Sequence, residues 1–222
     1  MFKKVLIAED YDSANIGVIS TLAELGIAEV IHVKYCDDAM LKIKKALFDN
    51  QPFDLLLSDL SFQPDARSIK IASGEELVAE VRKVQPDIKV IVLSVEERPA
   101  RIRALFDQAG ISGYISKGRE SLADLKAAIK KIYGTDKTYI SSRLSNALSD
   151  KSINEIDDYD KALLKLLAQG LTQKEIAKTF KETNISPSSE SAVEKRISKL
   201  KIYFRANNNV QIVFTARDLG FI

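Results

Sequence analysis

Residues 54–61 read DLLLSDLS, a stretch in which three leucines run directly into a serine and an aspartate. The leucines predict a short buried strand, but an ionised carboxylate such as Asp59 is costly to bury unless it is paired or bound to a cation. Asp59 is therefore either an ordinary first residue of a loop or the group that the strand serves to present. The residues at the ends of the other predicted strands help to decide between these two interpretations.

The composition is that of a globular chain with two domains of modest size. Its 222 residues are 45% hydrophobic and 29% charged, enough for a core and for solubility. No apolar run approaches the roughly 20 residues needed to cross a bilayer, and the N-terminal apolar segment is too short for a signal peptide. One cysteine, Cys36, and one histidine, His32, exclude a disulfide framework and leave little material for Cys/His or Ser/His catalysis. We expect a cytoplasmic protein with no membrane partner.

Short apolar runs alternate with amphipathic stretches over the first part of the chain. Runs rich in Val, Ile and Leu predict strands at 4–8, 28–33, 54–58, 88–94 and 113–116. Apolar residues at helical spacing predict helices around 15–25, 38–48, 75–84, 101–106 and 121–133. Five strands, each followed by a helix, predict a parallel five-stranded sheet with helices on both faces. Ligands of such sheets bind at the carboxyl ends of the strands.

A change of composition divides the chain after this α/β part. Residues 134–155 lack a sustained apolar period and are rich in Ser, Asn and Asp, which predicts a linker with a short helix around 140–148. Three or four helices and no strand follow. We therefore expect an α/β domain over 1–133 and a small all-α domain over 156–222. Residues 151–222 carry 12 Lys and Arg against 9 Asp and Glu, a weak indication of a polyanionic partner.

Polar side chains stand at the ends of four predicted strands. They are Glu9 and Asp10 after the first strand, Asp59 after the third, Ser94 at the end of the fourth and Lys117 after the fifth. Each alone is usually ordinary loop chemistry, but together they meet at one edge of a parallel sheet. Close carboxylates repel by about 4 kcal/mol per pair at an effective dielectric near 20, so they need a cation. Oxygen ligands on an incomplete cage favour Mg²⁺, and a hydroxyl and an ammonium nearby suit a phosphoryl group.

Residues 1–133 resemble the receiver domain of two-component response regulators, through VLIAED, LLLSDLS, VIVLS and GYISK. The resemblance implies a flavodoxin-like (βα)5 fold in which Asp59 is the phospho-acceptor and also lies at the metal. It further implies that Asp10 is a direct Mg²⁺ ligand and that Glu9 holds the metal through water. The backbone carbonyl of Ser61 would complete the protein ligands.

The same resemblance implies a switch around the acceptor. Ser94 would supply the hydroxyl that turns toward the phosphoryl group, Lys117 would pair with that group, and Tyr114 would change rotamer. The acceptor carboxylate would be a covalent nucleophile, so the protein would be a phosphoryl-accepting signalling protein that catalyses its own phosphorylation and dephosphorylation rather than an enzyme. The donor would be a histidine of a sensor kinase or phosphotransfer protein, because His32 lies within a predicted strand and away from the site.

The loop after the acceptor departs from the family pattern. Relatives have a short stretch there, whereas SFQPDARSIKIASG places Gly74 about seven residues late. Arg67 and Lys70 lie in this longer loop, and they either reach the phosphoryl site or a partner, or are solvated. Gly118 replaces the proline that is common after the lysine.

Residues 160–222 resemble the C-terminal DNA-binding domain of NarL/FixJ/LuxR-type regulators. The strongest match is LLKLLAQGLTQKEIAKTF, which predicts a scaffold helix ended by Gly170 and a second helix begun by Thr172. Glu175, three residues after that threonine, completes a capping box. The alignment continues to a last helix at roughly 208–219, closed by Gly220.

The helix that starts near Ser189 has the two faces that a recognition helix needs. Its apolar stripe consists of Val193, Ile197, Leu200 and Phe204. The opposite face carries Lys195, Ser198, Lys199 and Ile202, with Glu194 and Lys201 at the margins. Such a helix fits the major groove, although a solvated basic face gives the same pattern. The residues that we expect at DNA are Thr172, Lys174, Glu194, Lys195, Ser198 and Lys199.

Two features of this domain depart from the family. KETNISPSSES is about six residues longer than the usual turn between the two helices, which leaves the docking angle open. Glu194 stands where relatives often have lysine, and it either accepts from cytosine N4 or repels phosphate.

These patterns predict a response regulator that is phosphorylated on Asp59 and controls transcription by binding double-stranded promoter DNA. We expect it to form a homodimer when phosphorylated, and RNA polymerase is a further candidate partner. One alternative is an output domain that acts through protein contacts instead of DNA. A second is a phosphatase with an aspartate nucleophile, but those enzymes typically have an acid two residues later and this chain has Ser61.

Overall fold

The computed structural model describes residues 1–63, 69–149, 156–219 and 221–222. The chain divides into two compact units, one made of Met1–Glu96 and Leu105–Ser145 and the other of Glu97–Ala104 and Asn146–Ile222. The domain limits predicted from the sequence stay predictions. Three of the predicted features, namely Arg67, the end of the linker at 150–155 and the closing Gly220, lie outside the described residues.

The first unit is built on a parallel sheet with the strand order β2-β1-β3-β4-β5-β6. The strands are β1 (Lys4–Ala8), β2 (Glu29–Val33), β3 (Leu55–Ser58), β4 (Lys89–Ser94), β5 (Gly113–Ser116) and β6 (Tyr139–Ile140). The first five lie where the sequence predicts strands. β3 is central and all four of its residues are buried, because β1 and β4 flank it and helices cover both faces. The leucines of DLLLSDLS therefore occupy the core.

Six helices lie between Asp12 and Ser149, and two of them, α4 and α6, include residues of the second unit. They are α1 (Asp12–Glu24), α2 (Cys36–Phe48), α3 (Gly74–Val84), α4 (Pro99–Asp107), α5 (Ser121–Ile132) and α6 (Ser142–Ser149). α1 packs beside α5, and α2 packs beside α3. The buried residues of α5 recur at helical spacing and form its core-facing stripe: Leu125, Ala128, Ile129 and Ile132.

The sixth strand corrects the prediction of five. β6 lies within 134–155, where the sequence predicts a linker, and it pairs in parallel with β5. The amide of Tyr139 donates to the carbonyl of Ser112, and the amide of Ser141 donates to the carbonyl of Tyr114, each over 3.0 Å. Two strand residues between polar neighbours leave no period to detect, which is why the sequence did not reveal them. The short helix expected around 140–148 is present as α6.

The second unit contains four helices near its C-terminal end: α7 (Asp158–Ala168), α8 (Gln173–Glu182), α9 (Glu190–Phe204) and α10 (Asn209–Asp218). Thr172 and Glu175 form the predicted capping box at the start of α8. Gly170 has a φ of +83°, the left-handed conformation that glycine most readily adopts at the end of a helix. Ser189 caps α9, as the sequence predicts. The predicted stripe of α9 is buried at all four positions.

Candidate metal centre and nucleic-acid interface

The carboxyl ends of β1, β3, β4 and β5 meet at one edge of the sheet. The polar residues at these ends include Glu9, Asp59, Ser94 and Lys117. The amide of Asp59 donates to the carbonyl of Ala8 over 3.0 Å. The amide of Lys117 donates to the carbonyl of Ser94 over 2.8 Å. Main-chain bonds between neighbouring strands thus bring together side chains that are far apart in the sequence.

Lys117 joins two of the carboxylates. Its Nζ lies 2.5 Å from Oε2 of Glu9 and 2.6 Å from Oδ2 of Asp59, and both acids are buried. Burial raises the pKa of Glu9, and the ammonium of Lys117 opposes that rise without cancelling it. Burial alone would lower the pKa of Lys117, but its hydrogen bonds and the charges of Asp59 and Glu9 outweigh burial and raise the pKa. The ammonium therefore stays charged beside Asp59.

The second oxygen of Asp59 is held by the loop that follows it. Oδ1 accepts from the amide of Leu60 over 2.6 Å and from the amide of Ser61 over 3.3 Å. Gly74 packs against the same turn, since a Cβ built on it would lie 1.8 Å from the carbonyl oxygen of Asp59. This close approach explains why a glycine stands so late in the loop: the chain passes directly against the carbonyl of Asp59 at this residue.

Three carboxylates form a site that could hold a metal ion. One oxygen each from Glu9, Asp10 and Asp59 lies within 4.8 Å of the others. Oδ1 of Asp10 is buried and has no hydrogen-bond partner among the described residues, an arrangement that a cation would stabilise. Hard oxygen ligands at this spacing fit Mg²⁺. The amide of Ser61 faces Asp59, and the role of its carbonyl as a ligand stays a prediction.

Ser94 and Tyr114 meet at the main chain of Glu96. The amide of Glu96 donates to the hydroxyl of Ser94 over 3.3 Å, and the hydroxyl of Tyr114 donates to the carbonyl of Glu96 over 2.7 Å. Both side chains are buried. A movement of the Ser94 hydroxyl toward Asp59 would therefore disturb the segment that also holds Tyr114.

Comparison with known proteins identifies the family. The model of the response regulator receiver domain matches residues 5–130, more than half of the chain. The chain belongs to the response regulator family. The response regulator GacA of Pseudomonas aeruginosa is 31% identical over 150 residues, which cover 67% of this chain and 63% of GacA. The match thus spans less than two thirds of the length of that relative.

Two further likenesses extend beyond the receiver. The DNA-binding transcriptional activator DevR/DosR of Mycobacterium tuberculosis is 26% identical over 185 residues, 78% of each chain. RcsB of Salmonella enterica serovar Typhimurium, solved bound to the promoter rprA with the phosphomimetic BeF₃⁻, superposes with a TM-score of 0.62 at 20% identity. That match covers 99% of this chain and 98% of RcsB. The fold expected of a response regulator of the NarL/FixJ/LuxR type is confirmed.

The second unit of this response regulator exposes the basic face of α9. Glu194, Lys195 and Ser198 are exposed, Lys199 is half-buried, and Ile202 is 62% exposed. Lys174, in the first turn of α8, is exposed as well. Thr172 is exposed, with its hydroxyl bonded to Glu175 over 2.7 Å.

An ion cluster that the sequence did not reveal fixes α9 against α7. Arg196 contacts Asp160 through two nitrogens, Nε at 2.5 Å and Nη2 at 2.8 Å, and it also contacts Asp157. Asp160 is completely buried. Its neighbour Tyr159 donates to the carbonyl of Pro187 over 2.8 Å, which ties the long turn before α9 to α7. Acidic residues at a helix start look like caps in a sequence, so their second partner shows only in the fold.

The single histidine, His32, lies close to the site, whereas the single cysteine, Cys36, is a buried thiol. His32 lies in β2 as predicted, but its Nε2 is 2.8 Å from the carbonyl oxygen of Glu9, so the expectation that it lies away from the site was wrong. The parallel pairing of β2 with β1 causes this approach. Burial raises the pKa of the Cys36 thiol to about 12, which leaves it unreactive.

The described part of the long loop after β3 touches the site through Gln63. The amide of Gln63 donates to Oδ2 of Asp10 over 2.9 Å. Lys70 is exposed, and its amide donates to Asp37 on α2 over 2.9 Å. No helix among the described residues is both long enough and apolar enough to span a membrane.

Proposed function

We propose that this response regulator accepts a phosphoryl group on Asp59 from a histidine of a sensor kinase or phosphotransfer protein, and that phosphorylation controls binding of its α8–α9 segment to promoter DNA. The observation that carries the first part is the position of Lys117. Its ammonium lies within 2.6 Å of one Asp59 oxygen, where it offsets negative charge that arrives with a phosphoryl group.

The transfer itself is a displacement at phosphorus. An oxygen of Asp59 forms the new bond to phosphorus while the bond from phosphorus to the donor nitrogen breaks. Leu60 and Ser61 hold the acceptor carboxylate in place with their amides. Asp10, Asp59 and Glu9 would hold Mg²⁺, with the Ser61 carbonyl as a fourth protein group. Bound Mg²⁺ offsets the charge of the phosphoryl oxygens.

Ser94 and Tyr114 would transmit the effect of phosphorylation to the neighbouring segment. The Ser94 hydroxyl now accepts from the amide of Glu96, and turning it toward the phosphoryl group breaks that bond. The Tyr114 hydroxyl is held by the carbonyl of the same residue. Phosphorylation thereby shifts the equilibrium of the β4–α4 segment and favours a homodimer that binds DNA in the cytoplasm.

Phosphoryl labelling tests the acceptor. We expect the wild-type protein to incorporate label from a small phosphodonor with Mg²⁺, and Asp59→Asn to incorporate none. Asp87→Asn, which changes an exposed aspartate, serves as the control and should label normally. Persistent labelling of Asp59→Asn at wild-type level would disprove the assignment.

DNA binding is supported by the basic face of α9 and by the likeness to a DNA-binding activator. A gel shift on the promoter region of its own gene should show binding that weakens with salt. Lys195→Ala should weaken it about tenfold, in the range of a lost phosphate or base contact. Lys165→Ala, an exposed lysine of α7, is the matched control. Absence of binding at low salt, with and without a phosphoryl mimic, would favour the alternative in which the output domain contacts protein.

A further inference from the structure

The long loop between β3 and α3 is closed at its base. Ser61 and Ser73 form an antiparallel bridge, and the amide of Gly74 donates to the carbonyl of Leu60 over 3.0 Å. These two contacts join the end of β3 to the start of α3. The first residues of the loop, up to Gln63, lie beside the acidic cluster.

Gln63 holds on to the end of β1 in two ways. Its amide donates to Oδ2 of Asp10 over 2.9 Å. Its side-chain Nε2 donates to the hydroxyl of Tyr11 over 2.6 Å. Asp10 and Tyr11 are consecutive, so one residue of the loop forms hydrogen bonds with two neighbouring residues of the site. No motif in the sequence pointed to this contact, because the loop is longer than the family pattern.

The two carboxylate oxygens of Asp10 therefore differ in their hydrogen bonding. Oδ2 is occupied by the amide of Gln63, which fixes the plane of the carboxylate. Oδ1 is buried without a partner among the described residues. A buried carboxylate oxygen without a donor is costly, and a cation is the group that would relieve that cost. The loop thus orients Asp10 before any metal arrives.

We propose that Gln63 is a positioning residue for the Mg²⁺ site, acting through Asp10 and anchored by its side-chain bond to Tyr11. It does not touch the metal; it sets the orientation of the carboxylate that does. This inference rests on the proposed function, since it concerns the same metal site. It adds that Gln63, at the start of the long loop, supports phosphorylation through this metal site.

If the hydrogen bond between Gln63 and Tyr11 were merely structural, its removal would change the stability of the protein and leave its Mg²⁺ affinity unchanged. A positioning bond would change the affinity, because the carboxylate must be ordered when the metal binds. Partners that orient metal ligands typically contribute 10–100-fold to affinity, and Gln63 still keeps its main-chain bond when its side chain is removed, so we expect about 3–10-fold. Replacing Gln63 and replacing Tyr11 should each remove the same side-chain hydrogen bond.

The experiment is a double-mutant cycle on the full chain with Mg²⁺ alone as the probe. The Mg²⁺ dissociation constant is measured by calorimetry for wild type, Gln63→Ala, Tyr11→Phe and the double variant. We expect each single change to weaken binding, and the double variant to bind no more weakly than either single one. Gln51→Ala changes an exposed glutamine whose amide makes a local main-chain bond, and this variant should bind as wild type does.

The outcomes separate this proposal from the proposed function. Unchanged affinity in Gln63→Ala or Tyr11→Phe, or additive losses in the double variant, overturns the positioning role while the metal site itself stands. Failure of the wild-type protein to bind Mg²⁺ overturns the metal site and the positioning role together. Tyr11→Phe removes a single exposed hydroxyl, so it gives a folded variant for the test even if truncation of Gln63 disturbs the loop.

Discussion

Gly74 lies against the carbonyl of Asp59 so closely that a Cβ at this position would be 1.8 Å from the oxygen. The sequence showed a glycine displaced by about seven residues from the family position, and the structure shows why a glycine is required. The loop returns to the acceptor at Gly74, where α3 begins, and no side chain fits between the two main chains.

Gly74→Ala should therefore destabilise the protein. Relief of the clash needs a shift of the main chain beside Asp59, and overpacking of this kind costs about 1–3 kcal/mol or more of unfolding free energy. Urea denaturation measures the loss. Gly118→Ala is the control, because a Cβ there has no atom within 4 Å. Equal stabilities of the two variants would show that the turn adapts more easily than the contact implies.

The hydroxyl of Ser141 supports the edge of the sheet near Lys117. It accepts from the amide of Ser116 over 3.1 Å, and both residues are buried. Ser141→Ala leaves that amide without an acceptor, at a cost of about 1–3 kcal/mol. We expect a lower midpoint of urea denaturation and faster hydrogen exchange at Ser116. Ser145→Ala removes an exposed hydroxyl with a local bond and should change neither quantity; a similar effect in both variants would contradict the assignment.

Sequence and structure agree where the signal is periodic, and they differ where it is not. The first five strands could be predicted from apolar runs such as LLLS, because a strand that is buried on both faces consists mainly of apolar residues. Their helices could be predicted from apolar residues at helical spacing. β6 was missed since two residues paired with β5 show no period. The convergence of Asp59 and Lys117 follows from parallel strands ending at one edge. Gln63 could not be found this way, because its contact depends on the path of an inserted loop.

Mg²⁺ should stabilise the folded protein if the acidic cluster binds it. Binding to the native state alone adds about 2.7 kcal/mol at a concentration 100 times the dissociation constant. Thermal unfolding with Mg²⁺ and with EDTA measures this gain. Asp10→Asn should abolish it, because the variant loses the negative charge at the oxygen that has no partner in the described part of the chain. Asp136→Asn, on a fully exposed aspartate, should keep it. A gain retained in full by Asp10→Asn would place the ion elsewhere.

Arg196 should stabilise the second unit by compensating the buried charge of Asp160. Burial raises the pKa of Asp160 above its usual 3.8, although the guanidinium beside it opposes that rise. Arg196→Met leaves the carboxylate buried without its cation, and breaking a buried pair costs about 3–5 kcal/mol. We expect a large fall in the unfolding free energy at pH 7, together with weaker DNA binding, because α9 loses its tie to α7. Arg217→Met, an exposed arginine of α10, is the control.

The pH dependence of the variant gives a second and sharper readout. In Arg196→Met the guanidinium no longer opposes the effect of burial, and only the hydrogen bond from the Asp157 amide still does, so the pKa of Asp160 should lie further above its unfolded value than in the wild type. A carboxyl with a raised folded pKa binds its proton more readily in the folded state, and the free energy of unfolding then increases as the pH falls. Arg196→Met should therefore regain stability from pH 7 down toward the usual aspartate pKa of 3.8. Adding Asp160→Asn should remove this recovery, and a recovery that persists in the double variant would assign it to another group.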